Sequence, residues 1–168
     1  MLAVNPVCLS PVFNSKESLA MLPLQKKLLK KIDYYSDKAC YSYWDLAKTL
    51  PMGGEIKLLN GSTMTQHQLY SKYILLASNP SPYAYATLAY SLSKIGATIL
   101  LKGRIMNSQQ LYCEAIHINP KYAEPYYNLA ADLPEGEKIT LLNGKVMSKE
   151  DLYKKAIKLD LSLSLEPE

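Results

Sequence analysis

Three glycines, Gly61, Gly103 and Gly144, stand 42 and then 41 residues apart, each closing a Leu-Leu-x-Gly stretch. The stretches read Leu-Leu-Asn-Gly at 58–61, Leu-Leu-Lys-Gly at 100–103 and Leu-Leu-Asn-Gly at 141–144. Their flanks recur at the same steps. Tyr43, Leu46 and Ala47 return as Tyr85, Leu88 and Ala89 and again as Tyr126, Leu129 and Ala130. Met64, Leu69 and Tyr70 return as Met106, Leu111, Tyr112 and as Met147, Leu152, Tyr153. A fixed period of this length marks a stacked array, whose units bury their apolar faces against neighbours.

The third copy shows the unit most clearly. Asn119-Pro120 ends one helix, and the next begins near Lys121. Tyr122, Tyr126, Leu129, Ala130 and Leu133 then share one helical face, and Pro134 and Gly136 close the helix. Asn143-Gly144 between β-favouring residues predicts a hairpin with a two-residue type I′ turn. That turn sets Leu142 opposite Lys145, Leu141 opposite Val146 and Thr140 opposite Met147. Ile139, Leu141 and Val146 would then form the docked apolar side. A short hairpin has no independent stability and must pack on something.

Each hairpin runs into a helix start. Ser148 with Asp151, Thr65 with Gln68 and Asn107 with Gln110 have the spacing of a capping box. The preceding Met and following Leu supply a hydrophobic staple. The unit is therefore helix, hairpin, helix. In the second copy Lys102 replaces the turn asparagine and would adopt positive φ at a cost of roughly 1 kcal/mol. Ser93 there stands in place of Pro51 and Pro134.

These periods divide the chain into a leader at 1–22, partly disordered, and a capping half-repeat helix at 23–36. Repeats at 37–79, 80–119 and 120–161 follow, with a tail at 162–168. Leu24, Leu28 and Ile32 make the apolar stripe of the capping helix, with Lys26, Lys27, Lys30 and Lys31 on its solvated face. The leader has no basic segment before its apolar residues and is interrupted by Pro6 and Pro11, unlike a secretory signal. No stretch approaches the ~18 apolar residues of a membrane helix.

The helical segments resemble the tetratricopeptide repeat. Tyr126, Leu129, Ala130 and Leu133 match its first helix, and Tyr112, Ala115 and Pro120 match the end of its second. Tyr153 and Ala156 continue the match in the last copy. The units here are about seven residues longer than the standard repeat, and the excess lies where the hairpin falls. Tyr73 stands where the motif has Ala, and no proline follows Asp160. The resemblance implies a mainly α fold: an α-solenoid of tetratricopeptide-like helix–hairpin–helix units in a right-handed superhelix. It also implies a concave groove lined by the first helices. The groove positions are Tyr41, Trp44, Asp45 and Lys48, then Tyr83, Thr87 and Tyr90, then Glu124, Tyr127 and Asn128. Glu124 and Thr87 fall where a clamp for a C-terminal carboxylate would want basic or amide groups. Aromatic and apolar recognition of a peptide or partner protein is expected instead.

Other classes have less support. The hairpin with its capped helix, 143–153, faintly resembles the middle of a U-box ubiquitin-ligase domain, which would make the chain a host-directed bacterial effector module. Three tandem copies at repeat spacing speak against a single compact domain of that kind. A self-assembling structural unit, stacking through its apolar end faces, is a further alternative. A net charge of +4 falls short of the concentrated basic patch of a nucleic-acid binder. Cys8, Cys40 and Cys113 have no ligand-like spacing, and His67 and His117 lie in different copies with no repeated partner. No catalytic residue, metal ligand or cofactor loop is expected. The expected location is the cytoplasm, meaning the bacterial cytosol or, for a secreted effector, the host cytosol.

Overall fold

The computed structural model describes residues 23–34 and 40–160. The leader, residues 35–39 and the tail lie outside them. Seven helices and three two-stranded antiparallel hairpins make up the described residues: α1 (Pro23–Tyr34), α2 (Cys40–Lys48), β1 (Glu55–Lys57), β2 (Thr63–Thr65), α3 (Gln66–Leu76), α4 (Pro82–Ile95), β3 (Ile99–Leu101), β4 (Arg104–Met106), α5 (Ser108–Ile118), α6 (Ala123–Asp132), β5 (Lys138–Thr140), β6 (Val146–Ser148) and α7 (Lys149–Leu159). The fold is mainly α. Each helix packs on the next in the chain, and α4 also meets α6.

The recurring residues are the core. Leu46, Leu88 and Leu129, the alanines after them, and Leu69, Leu111 and Leu152 are all fully buried. Each such leucine contributes about 1.5–3 kcal/mol by leaving water. The capping boxes are present at all three sites. Thr65, Asn107 and Ser148 accept from the amides of Gln68, Gln110 and Asp151, whose side chains accept the cap residues' amides in return. Two orphan donors per helix are satisfied, which fixes where each second helix starts. Glutamines tie helix starts to the ends of first helices. Gln25 donates to Thr49 Oγ1 at 3.1 Å, Gln66 to the Leu50 carbonyl at 2.8 Å and Gln109 to the Asp132 carbonyl at 3.0 Å.

The hairpin register differs from expectation. Leu141 lies opposite Lys145, Thr140 pairs with Val146 and Ile139 with Met147. The loop is therefore Leu142-Asn143-Gly144, one residue longer than a type I′ turn, and positive φ falls on Gly144 alone. Asn143 serves through its side chain, accepting the Lys145 amide at 3.0 Å, as Asn60 accepts the Ser62 amide in the first hairpin. Such asparagine-capped loops compete well with the tighter turn. The one-residue slip puts Val146 in solvent and Met147 in the core.

The second hairpin is the type I′ turn. Leu101 pairs with Arg104, and both Lys102 (φ 50) and Gly103 (φ 75) have positive φ. Lys102 is the one non-glycine residue with positive φ among those described. Its ammonium donates to Tyr85 Oη at 2.8 Å, which offsets part of the backbone cost.

Two further expectations change. α6 starts at Ala123, with Tyr122 at its N-cap position. Its backbone is held before that by a turn from Asn119 to Tyr122. In α1, Leu24 is exposed and Leu29 joins Leu28 and Ile32 in the core. The buried stripe follows the 3.6-residue period, which a strict four-residue spacing overshoots.

Candidate partner-binding groove

The first helices α2, α4 and α6 carry the ten groove positions, and their aromatic rings meet rings from the second helices. On α2, Trp44 lies 4.8 Å from Tyr70 and 5.2 Å from Tyr73 between ring centres, both on α3. It also meets Tyr83 of α4 edge-on at 5.6 Å, which joins the first two repeats. Tyr41 sits 5.6 Å from Tyr73. Tilted and edge-on pairs of this kind add about 0.5–1.5 kcal/mol each beyond burial. Asp45 and Lys48 pair at 2.9 Å one turn along, and the Lys48 ammonium lies 6.0 Å from the Trp44 ring. That ion pair is half exposed and stabilises little.

On α4 and α6 the arrangement continues. Tyr83 and Tyr90 are exposed, and Lys94 covers the Tyr90 ring at 5.0 Å. Tyr122 donates its hydroxyl to Glu124. Burial, that hydrogen bond and the nearby Glu124 charge push the Tyr122 phenol well above its ordinary value, with Tyr83 adding to the shift. Burial likewise raises the Tyr112 phenol on α5, helped by Asp132, Glu124 and Tyr90. These phenols stay neutral and serve as rigid rings with donor tips. Tyr127 meets Tyr153 edge-on at 5.2 Å within the third repeat. Thr87 and Asn128 are half-buried on the same helices.

The rings therefore fall into one connected group, in which Trp44 meets Tyr70, Tyr73 and Tyr83 and Tyr41 meets Tyr73, and a separate pair, Tyr127 with Tyr153. Reading the sequence missed Tyr70 and Tyr73 as the buried partners of the Trp44 ring. The recurrence of Tyr70, Tyr112 and Tyr153 at one position of every second helix was the available signal. Tyr70 and Tyr112 of that set are core residues, and Tyr153 is half-buried.

Burial pushes the Cys113 thiol up to about 11, with Glu114 contributing, so it is a protonated and weak nucleophile. Burial lowers the half-buried His67 below its ordinary value, so it is neutral at pH 7. Among the described residues no group of three or more His, Cys, Asp or Glu side chains is placed to hold a metal ion. No described helix is long and apolar enough to cross a membrane. No protein family matches the chain, and no curated protein or solved structure matches it either.

Proposed function

We propose that the chain is a non-catalytic protein-interaction scaffold, a right-handed solenoid of tetratricopeptide-like units that holds a peptide or partner protein along its first helices. The observation that carries this reading is the run of partly exposed aromatic rings across α2 and α4, with Tyr41, Tyr83 and Tyr90 open to solvent and Trp44 wedged among tyrosines. Rigid aromatic side chains lose little conformational entropy on binding and are the usual anchors of protein interfaces. Consecutive packing of the helices supports the solenoid, since each unit of such an array touches its neighbours.

The test is a selection of peptides from a displayed random library on the immobilised chain. Selected peptides should bind the Trp44→Ala/Tyr90→Ala variant at least about tenfold more weakly. The exposed Tyr41→Ala, which leaves the packed rings in place, should weaken the same peptides by a smaller factor. Equal binding to wild type and both variants overturns the reading.

A further inference from the structure

We infer that the gap between the second and third hairpins is a slot for an extended acidic–aliphatic peptide, which adds to the free edges of β4 and β5. This surface is separate from the aromatic groove and does not depend on it. Three observations converge there.

The first is a pocket of about 260 Å³ between the two hairpins and α5. Arg104, Ile105 and Met106 of β4 line one side, Ile139, Thr140 and Leu142 the other, and Gln109, Gln110, Cys113 and Glu114 of α5 form the rest of the lining. Its apolar part, at Ile105, Met106, Ile139 and Leu142, fits one aliphatic side chain.

The second is the direction of the backbone. In a two-residue hairpin the pair flanking the turn is hydrogen-bonded, and bonded and non-bonded pairs then alternate. Leu101–Arg104 and Ile99–Met106 are thus the bonded pairs, and Leu100–Ile105 is the open one. The N–H and C=O of Ile105 point away from β3. In the third hairpin the Leu141 amide bonds the Lys145 carbonyl, which makes Thr140–Val146 the open pair. The peptide groups of Thr140 point away from β6. Both residues with unpaired edge groups line the same pocket. A strand lying there would find main-chain partners beside a hole for its side chain, the two components of recognition by strand addition.

The third is charge. The second and third hairpins, residues 99–106 and 138–148, carry Lys102, Arg104, Lys138 and Lys145, all exposed, and no acidic residue. Arg104 pairs with Glu114 at 3.0 Å and Lys102 donates to Tyr85 Oη, which leaves Lys138 and Lys145 outside the ion pairs of the described residues. Leu100 and Ile105 add an exposed aliphatic face. The complementary occupant alternates aliphatic and acidic side chains, one set entering the pocket and the other meeting the lysines.

The experiment uses the full chain, isotopically labelled, with a short fluorescent peptide that alternates valine and glutamate. Saturable binding is expected, with slowed amide exchange at Ile105 and Thr140 and none added at Met106, which already donates to β3. Ile105→Lys, at an exposed position, should weaken binding by about tenfold or more, and Lys145→Glu by a smaller factor. A valine–lysine peptide, or one N-methylated at alternate residues, should not bind. The inference is overturned by absence of saturable binding, by equal affinity of the N-methylated peptide, or by protection appearing in α2 and α4 instead. Capture by anionic phospholipid vesicles in place of the peptide, lost in Ile105→Lys, also overturns it and makes the surface a lipid contact. None of these outcomes bears on the Trp44 and Tyr90 result.

Discussion

The second hairpin and the third carry the same Leu-Leu-x-Gly letters and bury opposite members of the pair. In the third, Leu141 is 4% exposed and Leu142 52%; in the second, Leu100 is 67% exposed and Leu101 1%. The cause lies upstream. Pro51 and Pro134 stop their helices early, and Gly53 and Gly136 turn the chain with positive φ. In the second repeat Ser93 and Ile95 occupy those places, so α4 runs on to Ile95 and ends on the left-handed Gly96. That longer route uses one more residue before the buried leucine. The loop gives one back, shrinking from three residues to two, and the staple methionine returns to register. A proline and a glycine thus decide which leucine is core some residues later, because side chains alternate along a strand.

The sharpest break of this comparison is a set of leucine truncations. Leu101→Ala and Leu141→Ala should each cost about 2–5 kcal/mol, while Leu100→Ala and Leu142→Ala should stay within about 0.5 kcal/mol. Urea unfolding of the four variants measures this directly. If Leu100 and Leu141 prove equivalent, the second hairpin shares the register of the third.

Ser93→Pro comes next. It removes an α4 hydrogen bond and the Ser93 contact to Asp132 Oδ1 at 2.6 Å, and should cost about 3 kcal/mol. Adding Ile95→Gly should recover part of that loss by allowing the turn used in the other repeats. Thermal unfolding of the single and double variants checks it, and a double variant no better than the single one would break the account.

Lys102→Asn is a smaller test. Asparagine tolerates positive φ better, worth up to about 1 kcal/mol, but the contact to Tyr85 is lost. The net change should fall within about 0.5 kcal/mol of zero, whereas Lys102→Ala loses the contact without the backbone gain and should fall below wild type.

The smallest effect separates the caps. The third repeat closes its capping box with Asp151, the others with glutamine. The Ser148 amide holds the Asp151 carboxyl below its ordinary value, and the Ser148 hydroxyl, donating at 2.6 Å, does the same for Glu150. The folded pKa lies below the unfolded one, so the contribution is present above about pH 4 and fades as pH falls through the folded value. Amide exchange in the first turn of α7 should accelerate on acidification before that of α3 or α5. Asp151→Asn should reduce the difference and Asp151→Asn with Glu150→Gln should remove it, since Ser148 holds both carboxyls low; unchanged pH dependence in the double variant would place its origin elsewhere.

Local chemistry wrote much of this fold into the sequence. The capping pairs, the staples and the leucine–alanine faces depend on residues within a few positions of one another, and their recurrence at a fixed step located seven helices and three hairpins. The groove positions were named from the resemblance to the tetratricopeptide repeat. What the sequence left open was decided by packing between elements. Asn-Gly admits either a two- or a three-residue loop, and the choice followed from where Pro134 delivered the strand against the helices. Leu29 replaced Leu24 in the core because the position of α2 selects the buried stripe. Tyr70 and Tyr73 meet Trp44 through contacts made across helices, and the pocket between β4 and β5 exists because two hairpins far apart in the chain stand side by side. Those properties belong to distances between units, which no single repeat encodes.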